Sequence, residues 1–288
     1  MNSISQIMKV LPFTIPKPKR DSLILQENFE PTFYGLLHQH EEFQISYILA
    51  GEGTLIVGDS IHNYQEGDVF IFDENLPHVF RSDPSKTDFS HMKSVFFTKT
   101  SFGGGFFETE ELRPLTSFFK KAENGFKVLS NKNNTHKIFN QLFLASKLDR
   151  FILFFQLLKV LKQSKAEPLS SFVSDKKYSD NEGRRMSAVL EFTMNNFQQE
   201  ISLNTISQEA AMTKNAFCKY FKKRTNKTYI TFLNELRIEE ASKLLQVEKD
   251  LSITEIAEAC GFQNISNFNR KFKHIKGKTP RDFRKSLI

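Results

Sequence analysis

The sequence contains only two cysteines among its 288 residues, Cys218 and Cys260. Two isolated thiols give no sign of the paired framework that cross-links small secreted domains. Unpaired thiols are typical of proteins in a reducing compartment. We therefore expect a cytoplasmic protein without disulfide bonds.

Long hydrophobic runs are also missing. The most apolar stretch, residues 151–161, is interrupted by Gln156 and Lys159. It is too short for a membrane-spanning helix, which needs about 20 residues. Residues 1–20 contain no long apolar core followed by a small-residue cleavage site, so no signal peptide is expected. The sequence therefore predicts no membrane partner.

The first 181 residues have no excess of charge of either sign, because they contain 21 basic and 21 acidic side chains. Residues 182–288 contain 19 basic and 12 acidic side chains, which accounts for the whole net charge of +7. A neutral segment joined to a basic one is typical of a protein whose second domain binds a polyanion.

The basic segment contains one pattern twice, at about 202–226 and 252–277. Corresponding positions are Ser202 and Ser252, Ile206 and Ile256, Phe217 and Phe268, Phe221 and Phe272, and Thr228 and Thr279. The offset is 50 residues in the first part and 51 from the Phe pair onward, so the second copy has one extra residue in its turn. Such a duplicated short unit is usually one supersecondary module. Here the module is predicted to be a helix-turn-helix.

In the second copy, Ser252 and Glu255 form a capping-box pattern that predicts a helix beginning at Ile253. Gly261 suits a turn with positive φ, and Gly277 suits a left-handed cap. The recognition helix is predicted from near Asn264 to Lys276.

The first copy has Ala211 and Asn226 at the positions of Gly261 and Gly277, and Thr213 as the predicted N-cap of its recognition helix. Asn is the next best residue for the left-handed conformation. Residues 231–245 predict one long helix that joins the two copies.

The N-terminal half begins with short segments rich in β-branched and aromatic residues, at 44–49, 54–57, 69–72 and 93–97. Turn residues separate them, which predicts a small β-sandwich or barrel. Helical periodicity follows at 112–119, 135–143, 150–161 and 182–197. The predicted fold class is α+β with two domains: a β-barrel with following helices at 1–165 (strands about 20–100, helices about 110–163), a linker at 164–181, and an all-α domain at 182–288.

Several motifs of the basic segment together resemble the C-terminal domain of AraC/XylS-type transcription regulators. They are Phe221-Lys-Lys-Arg-Thr, Leu236-Arg237, Cys260-Gly261-Phe262, Phe268-Asn-Arg-Lys-Phe272-Lys273 and Gly277-Lys-Thr-Pro280. The resemblance covers about 105 residues. It implies a double helix-turn-helix domain that binds double-stranded DNA.

The resemblance also implies site residues, since the exposed faces of the two recognition helices read base edges in that family. The base contacts implied here are Asn215, Cys218, Lys219, Ser266, Asn267, Asn269 and Arg270. Basic residues around them are expected to contact phosphates: Lys222, Lys223, Arg224, Lys227, Lys271, Lys273, Lys276 and Lys278. The four phenylalanines of the repeats are expected in the core.

The run from His38 to Gly53, with Glu66-Gly67-Asp68 and Pro77-His78, resembles the cupin-type barrel found N-terminal to many such regulators. Side chains on an extended strand repeat with period two, so His38 and His40 are predicted to share a face. Metal-binding cupins have Glu where Gln44 stands here. An effector pocket lined by His38, His40, Gln44 and His78, a metal site, and satisfied polar groups at a barrel mouth all remain open.

The resemblance implies a non-enzymatic transcription regulator, most often an activator, that responds to a small-molecule effector and contacts RNA polymerase. No cofactor is expected. The helices at 112–161 suggest either a homodimer interface or intramolecular packing by residues such as Leu142, Phe143, Leu153, Phe154, Leu157 and Leu158. The alternatives are a metal-dependent cupin enzyme with a DNA-binding tail and an architectural DNA binder without effector.

Overall fold

The computed structural model describes residues 21–84, 86–172 and 178–287. Its N-terminal part contains the strands β1 (Ile24–Glu30), β2 (Phe43–Ala50), β3 (Gly53–Val57), β4 (Ser60–Tyr64), β5 (Val69–Phe72), β6 (His78–Ser82), β7 (Ser90–Phe97), β8 (Phe126–Val128) and β9 (Ala166–Pro168). Two short 3-10 segments lead into the helices α1 (Thr116–Ala122), α2 (Lys132–Leu144) and α3 (Lys147–Gln163). The four predicted strand segments coincide with β2, β3, β5 and β7.

The strands form two antiparallel sheets, with the orders β1-β7-β2-β5-β8-β9 and β4-β3-β6. Strand β5 shows how the larger sheet is packed, because all four of its side chains are fully buried. Val69 and Ile71 belong to the apolar cluster that includes α1–α3, whereas Phe70 and Phe72 belong to the cluster shared with the smaller sheet. The larger sheet is therefore covered by helices on one face and by the smaller sheet on the other.

The helices supply apolar side chains to this core, and they do so inside one chain. Leu142, Phe154, Leu157 and Leu158 have no exposed surface in this arrangement. These four residues therefore pack within one chain and are not available for contact with a second subunit.

No helix in the described ranges combines the length and apolar character needed to cross a membrane.

The start of the predicted linker is part of the barrel domain. Strand β9 pairs with β8, and Leu169 and Ser170 are buried. Hydrogen bonds from the backbone N–H groups of Leu169 and Ser170 to Gly125 and Asn124 hold this segment against the barrel. The predicted boundary at 164–165 therefore lies too early, because polar composition marked a segment that the backbone ladder in fact incorporates. The central part of the linker, 173–177, lies outside the described residues.

The C-terminal part consists of helices, namely α4 (Asp180–Asn196), α5 (Leu203–Glu209), α6 (Lys214–Thr225), α7 (Tyr229–Val247), α8 (Ile253–Ala259), α9 (Ile265–Lys276) and α10 (Pro280–Lys285). The α+β class with a double helix-turn-helix is confirmed. The predicted capping box of Ser252 and Glu255 is present, and helix α8 begins at Ile253 as predicted. The predicted cap Thr213 accepts a hydrogen bond from the backbone N–H of Ala216.

Both turns of the repeat contain a residue with positive φ, which is +50° at Ala211 and +81° at Gly261. Both recognition helices end in the left-handed conformation, with φ of +53° at Asn226 and +71° at Gly277. These conformations match the residue types of the two copies. They place α6 and α9 at equivalent positions in their respective units.

The outer face of the smaller sheet packs against the C-terminal domain. Four apolar residues of the barrel belong to the same buried cluster as Met186 and Val189 of α4: Leu37, Ile56, Ile61 and Val79. Polar contacts surround this patch. Lys243 of α7 donates a hydrogen bond to Thr54 Oγ1 at 2.7 Å, and Thr54 donates one to Glu240. The second helix-turn-helix has a separate core that includes no barrel residue among those described.

Candidate functional site

The two recognition helices have one buried and one exposed face. Phe217 and Phe221 of α6, and Phe268 and Phe272 of α9, are fully buried, so their predicted core role is confirmed. Side chains three and four residues apart share a helix face, and the polar residues between the phenylalanines therefore point outward. The outward face of α6 includes Asn215, Cys218 and Lys219, which are all exposed.

The outward face of α9 contains the other predicted base contacts. Ser266, Asn269 and Arg270 are exposed, and Asn267 is half-buried. The guanidinium of Arg270 donates a hydrogen bond of 2.9 Å to Asn267 Oδ1. Asn267 in turn donates its backbone N–H to the capping side chain of Asn264. This chain of contacts orients Arg270 along the N-terminal half of the helix before any ligand is present.

The predicted phosphate contacts divide into two groups. Lys222, Lys223, Lys273 and Lys278 are exposed, and Lys271 is half-buried. The other three basic side chains are engaged inside the protein: Arg224, Lys227 and Lys276. We therefore remove these three from the set of expected phosphate contacts.

Arg224 is a structural cation of the first helix-turn-helix. It is 4% exposed, and its Nη2 lies 2.7 Å from a carboxylate oxygen of Glu182 at the start of α4. Its guanidinium also lies over the ring of Tyr178, 4.2 Å from the centroid. The hydrogen bond from Arg224 is the largest cause that lowers the pKa of Glu182, to about 2. The ion pair between Arg224 and Glu182 thus holds α6 against α4.

Lys227 and Lys276 pair with acidic residues of α7. Lys276 Nζ lies 2.6 and 2.7 Å from the two carboxylate oxygens of Glu239. Lys227 Nζ donates to Glu235 at 2.9 Å and to the backbone carbonyl of Asp59 in the barrel at 2.7 Å. The sequence contained no local signal for these pairs, because the partners lie 8 to 168 residues away.

Asp59 is a barrel residue that the sequence analysis missed. It contacts the segment that follows β9 and also Lys227 of the first helix-turn-helix, and it therefore links the barrel to both. It is 1% exposed and accepts hydrogen bonds from the hydroxyls of Ser170 and Ser171. Burial opposes ionisation of Asp59. The hydrogen bonds from Ser171 and Ser170 and the charge of Lys227, 3.6 Å away, nevertheless lower its pKa.

The structure brings the four predicted barrel residues together. The ring centroid of His78 lies 4.6 Å from that of His38 and 5.2 Å from that of His40. Gln44 Oε1 lies 2.8 Å from Nε2 of His40 and 3.1 Å from Nε2 of His78. His38 and His40 face the same side, as the period of two predicts.

Hydrogen-bond chemistry orients this cluster further. Nδ1 of His40 and Nδ1 of His78 each face a backbone carbonyl, of Glu42 and Leu76, so Nδ1 carries the proton. In neutral rings Nε2 then accepts, so the oxygen and nitrogen of the Gln44 amide must exchange the places given above: the NH₂ group then donates to both rings, and the oxygen accepts from the Ser46 hydroxyl. The alternative places two charged imidazoles in a buried site, which costs desolvation free energy.

The cluster has imidazole and amide groups but no carboxylate at the position of Gln44. Within the described ranges, no group of three or more His, Cys, Asp or Glu side chains is arranged to hold a metal ion. The chemistry that the cluster offers directly is hydrogen bonding between buried neutral polar groups. Such groups give orientation and specificity in pockets for small molecules.

Comparison with known families bears on both halves of the chain. A helix-turn-helix domain model matches residues 206–286, and a cupin domain model matches residues 26–89. The barrel is thus similar to a cupin domain, and the C-terminal part of the chain is similar to a helix-turn-helix domain.

Proteins similar to this chain include regulators of transcription. The chain is 28% identical over 141 residues to the HTH-type transcriptional activator RhaS of Escherichia coli, which covers 49% of this chain and 47% of RhaS. The chain thus spans about half the length of the curated relatives it matches. A DNA-binding transcriptional dual regulator of Escherichia coli K-12 is 25% identical over 36% of this chain and 91% of its own, with a TM-score of 0.33. ToxT of Vibrio cholerae is 16% identical over 92% of this chain and 98% of its own, with a TM-score of 0.36.

Proposed function

We propose that the protein is a non-enzymatic, sequence-specific DNA-binding transcription regulator whose N-terminal barrel responds to a small-molecule effector. The DNA-binding part of this proposal rests on one observation. Two equivalent helices, α6 and α9, each bury a pair of phenylalanines and expose a polar and basic face. Recognition helices of this kind enter successive major grooves about 34 Å apart on the duplex.

The exposed residues of α9 have the chemistry for reading bases. Arg pairs bidentately with guanine O6 and N7, and Asn with adenine N6 and N7. On α6, Asn215 and Lys219 offer similar chemistry, whereas Cys218 offers only a weak donor. The exposed lysines 222, 223, 273 and 278, with half-buried Lys271, would hold phosphates and supply affinity without sequence information.

Replacement of Arg270 and of Lys273 by alanine tests this division of roles in the full chain. Arg270→Ala should weaken binding to the cognate site by roughly 5- to 150-fold, because a bidentate base contact is worth about 1–3 kcal/mol, and should leave binding to scrambled DNA unchanged. Lys273→Ala should weaken binding to both DNAs equally and reduce the salt slope by about one. Fluorescence anisotropy over a range of salt concentrations measures both. Identical behaviour of the two variants on cognate and scrambled DNA would contradict the assignment.

Effector control would operate through the pair of residues that connects the histidine cluster to the DNA-binding domain. The backbones of His38 and His78 exchange two hydrogen bonds, of 3.2 and 3.0 Å. Their neighbours Leu37 and Val79 belong to the apolar cluster that includes α4. Because side chains alternate along extended backbone, a shift of this bridge on effector binding would move both apolar contacts. An effector acts in this way only if it binds the two arrangements with different affinity.

A thermal-shift screen of the full chain over sugars, aromatic acids and lipids tests the effector proposal. We expect at least one compound to raise the melting temperature, because a ligand that binds only the folded state stabilises it. Gln44→Leu should abolish that increase by removing the amide between His40 and His78. The barrel proposal fails if no compound has an effect, or if every effect persists in Gln44→Leu. DNA binding is measured separately and does not depend on this outcome.

Pairing of two subunits and contact with RNA polymerase remain predictions. If subunits pair through α2 and α3, the apolar residues available are Leu144, Leu148 and Ile152, which are exposed. They differ from the buried residues that the sequence suggested. The molecular mass in solution, with and without DNA, measures the number of subunits.

A further inference from the structure

A cavity lies on the N-terminal domain, away from the histidine cluster. It has a volume of about 330 Å³ and lies between the residues before β1, the loop after β7 and the first turn of α3. We call it the α3 pocket. It is lined by Asp21, Ser22, Leu23, Phe102, Lys147, Arg150 and Phe151. Its volume is at the lower end of ligand pockets, which begin at about 300 Å³.

The charges in the α3 pocket are not balanced. Asp21 accepts a hydrogen bond of 3.0 Å from Lys147, which leaves Arg150 without a carboxylate partner in the described part of the chain. Arg150 Nη2 donates to the carbonyl oxygen of Ala145 at 3.3 Å, and its buried Nε has no acceptor among the described residues. A buried donor without an acceptor is unfavourable, and more so on a charged group. The guanidinium therefore has capacity for an anion.

The position of these cations on α3 is a second, independent observation. Lys147 and Arg150 both lie near the start of the helix, just after its cap Ser146, and flank Asp149, whose carboxylate accepts a hydrogen bond from the Ser146 hydroxyl. The N-terminus of a helix has a partial positive charge, so two cations with one carboxylate leave the local potential positive. Sequences normally put basic residues at the other end. The arrangement is explained if a negatively charged ligand binds beside this turn.

The remaining walls are apolar. The rings of Phe102 and Phe151 pack edge to face with centroids 5.1 Å apart, and Leu23 is buried beside them. Phe102 also packs against Phe154 of the central core, so the aromatic wall is firmly supported. Inorganic anions gain little from such surfaces, whereas an organic acid uses the charged and the apolar parts together.

We propose that the α3 pocket binds a small organic monocarboxylate with an aromatic or short aliphatic body. The carboxylate pairs with the Arg150 guanidinium, whose planar fork matches its two oxygens. The body of the ligand lies against Phe102 and Phe151. This site is separate from the barrel cluster and goes beyond the proposed regulation by that cluster.

Isothermal titration of the full chain tests the proposal. The probes are benzoate and hexanoate, their neutral counterparts benzyl alcohol and 1-hexanol, and inorganic phosphate. We expect the two carboxylates to bind at least tenfold more tightly than the alcohols and phosphate. Arg150→Gln should weaken carboxylate binding at least tenfold, whereas Lys159→Gln, an exposed change on the same helix, should have no effect.

A second variant tests the site without removing Arg150. Ser22 is an exposed lining residue, and Ser22→Glu adds a carboxylate that competes for the guanidinium. We expect it to weaken benzoate binding and to raise the melting temperature of the free protein. Gln44→Leu should leave benzoate binding at the α3 pocket unchanged, which separates this inference from the barrel proposal. Equal binding of the alcohols, a preference for phosphate, or unchanged affinity in both Arg150→Gln and Ser22→Glu would overturn it.

Discussion

Gly261→Ala is expected to destabilise the C-terminal domain by about 3 kcal/mol or more. Gly261 has φ of +81°, and a Cβ atom there would lie 2.6 Å from the carbonyl oxygen of Phe197 and 2.8 Å from that of Gln198. The left-handed conformation costs a residue with a side chain about 1–2 kcal/mol, and overpacking adds about 1–3 kcal/mol. Both neighbours are backbone atoms, so no side chain can rotate away.

The clash would also disturb the contact between the two helix-turn-helix units. Arg237 of α7 donates hydrogen bonds of 2.7 Å to the carbonyl oxygens of Phe197 and Gln199, and its Nε lies 3.0 Å from the point that a Cβ on Gly261 would occupy. Movement of the 197–199 segment would break these bonds. We therefore expect weaker binding to a full-length DNA site as well as lower stability.

The first copy provides the matched control. Ala211 occupies the same turn with φ of +50°, is exposed, and already accommodates its Cβ. In Ala211→Gly, relief of backbone strain and the greater entropy of the unfolded chain nearly cancel, so stability should change by less than about 1 kcal/mol. Circular dichroism during thermal unfolding measures both variants. A fall of roughly 10 °C is expected for Gly261→Ala, and similar melting temperatures for the two variants would contradict the argument.

Arg224→Met is expected to lower the stability of the C-terminal domain by about 3 kcal/mol. Removing one partner of a buried ion pair typically costs about 3–5 kcal/mol. Because the side chain of Glu182 is 38% exposed, we expect the lower end of that range. Arg224→Lys should be intermediate, since it keeps the charge but loses the planar stacking over Tyr178.

The pH dependence of stability distinguishes this pair from other causes. Glu182 has a pKa lowered from 4.5 to about 2 in the folded protein. A carboxyl group with a depressed pKa contributes stability that is fully present above pH 4.5 and is lost as the pH falls toward 2. This acid-dependent loss should be smaller in Arg224→Met than in the unchanged protein. Unfolding by urea at several pH values between about 2 and 7 measures the difference.

Lys223→Met is the control for the phosphate interpretation of the same helix. Lys223 is the exposed neighbour of Arg224, so its replacement should leave stability unchanged and reduce the salt dependence of DNA binding. If Arg224→Met instead behaves like Lys223→Met, then Arg224 contacts phosphate and the structural role assigned to it is wrong.

Features that depend on local backbone chemistry could be predicted from the sequence. The capping box at Ser252, the cap at Thr213 and the left-handed residues Asn226 and Gly277 follow from which residue types satisfy helix ends. The period of three and four residues placed Phe217 and Phe268 in the core. The period of two placed His38 and His40 on one side of the barrel. In each case the deciding interaction spans only a few residues along the chain.

Features that depend on distant partners could not be predicted in this way. A basic side chain at a helix end looks the same whether it faces solvent or an acid on another element, so Arg224, Lys227 and Lys276 were assigned to phosphates together with the exposed lysines. The polar segment after α3 contains residues such as Ser170 that bond to Asp59, 111 positions earlier. The polar composition of this segment alone predicted that it is a linker.

The sequence by itself determined the two helix-turn-helix units, four of the strands that precede the helices, and the positive charge of residues 182–288, because each follows from local periodicity, capping or residue count. Only the tertiary structure decided which cations remain exposed, how the outer face of the small sheet packs against α4 and α7, and that Arg150 lines a cavity without a carboxylate partner among the described residues. These outcomes depend on which surfaces exclude water from each other, and that is a property of packed elements rather than of neighbouring residues.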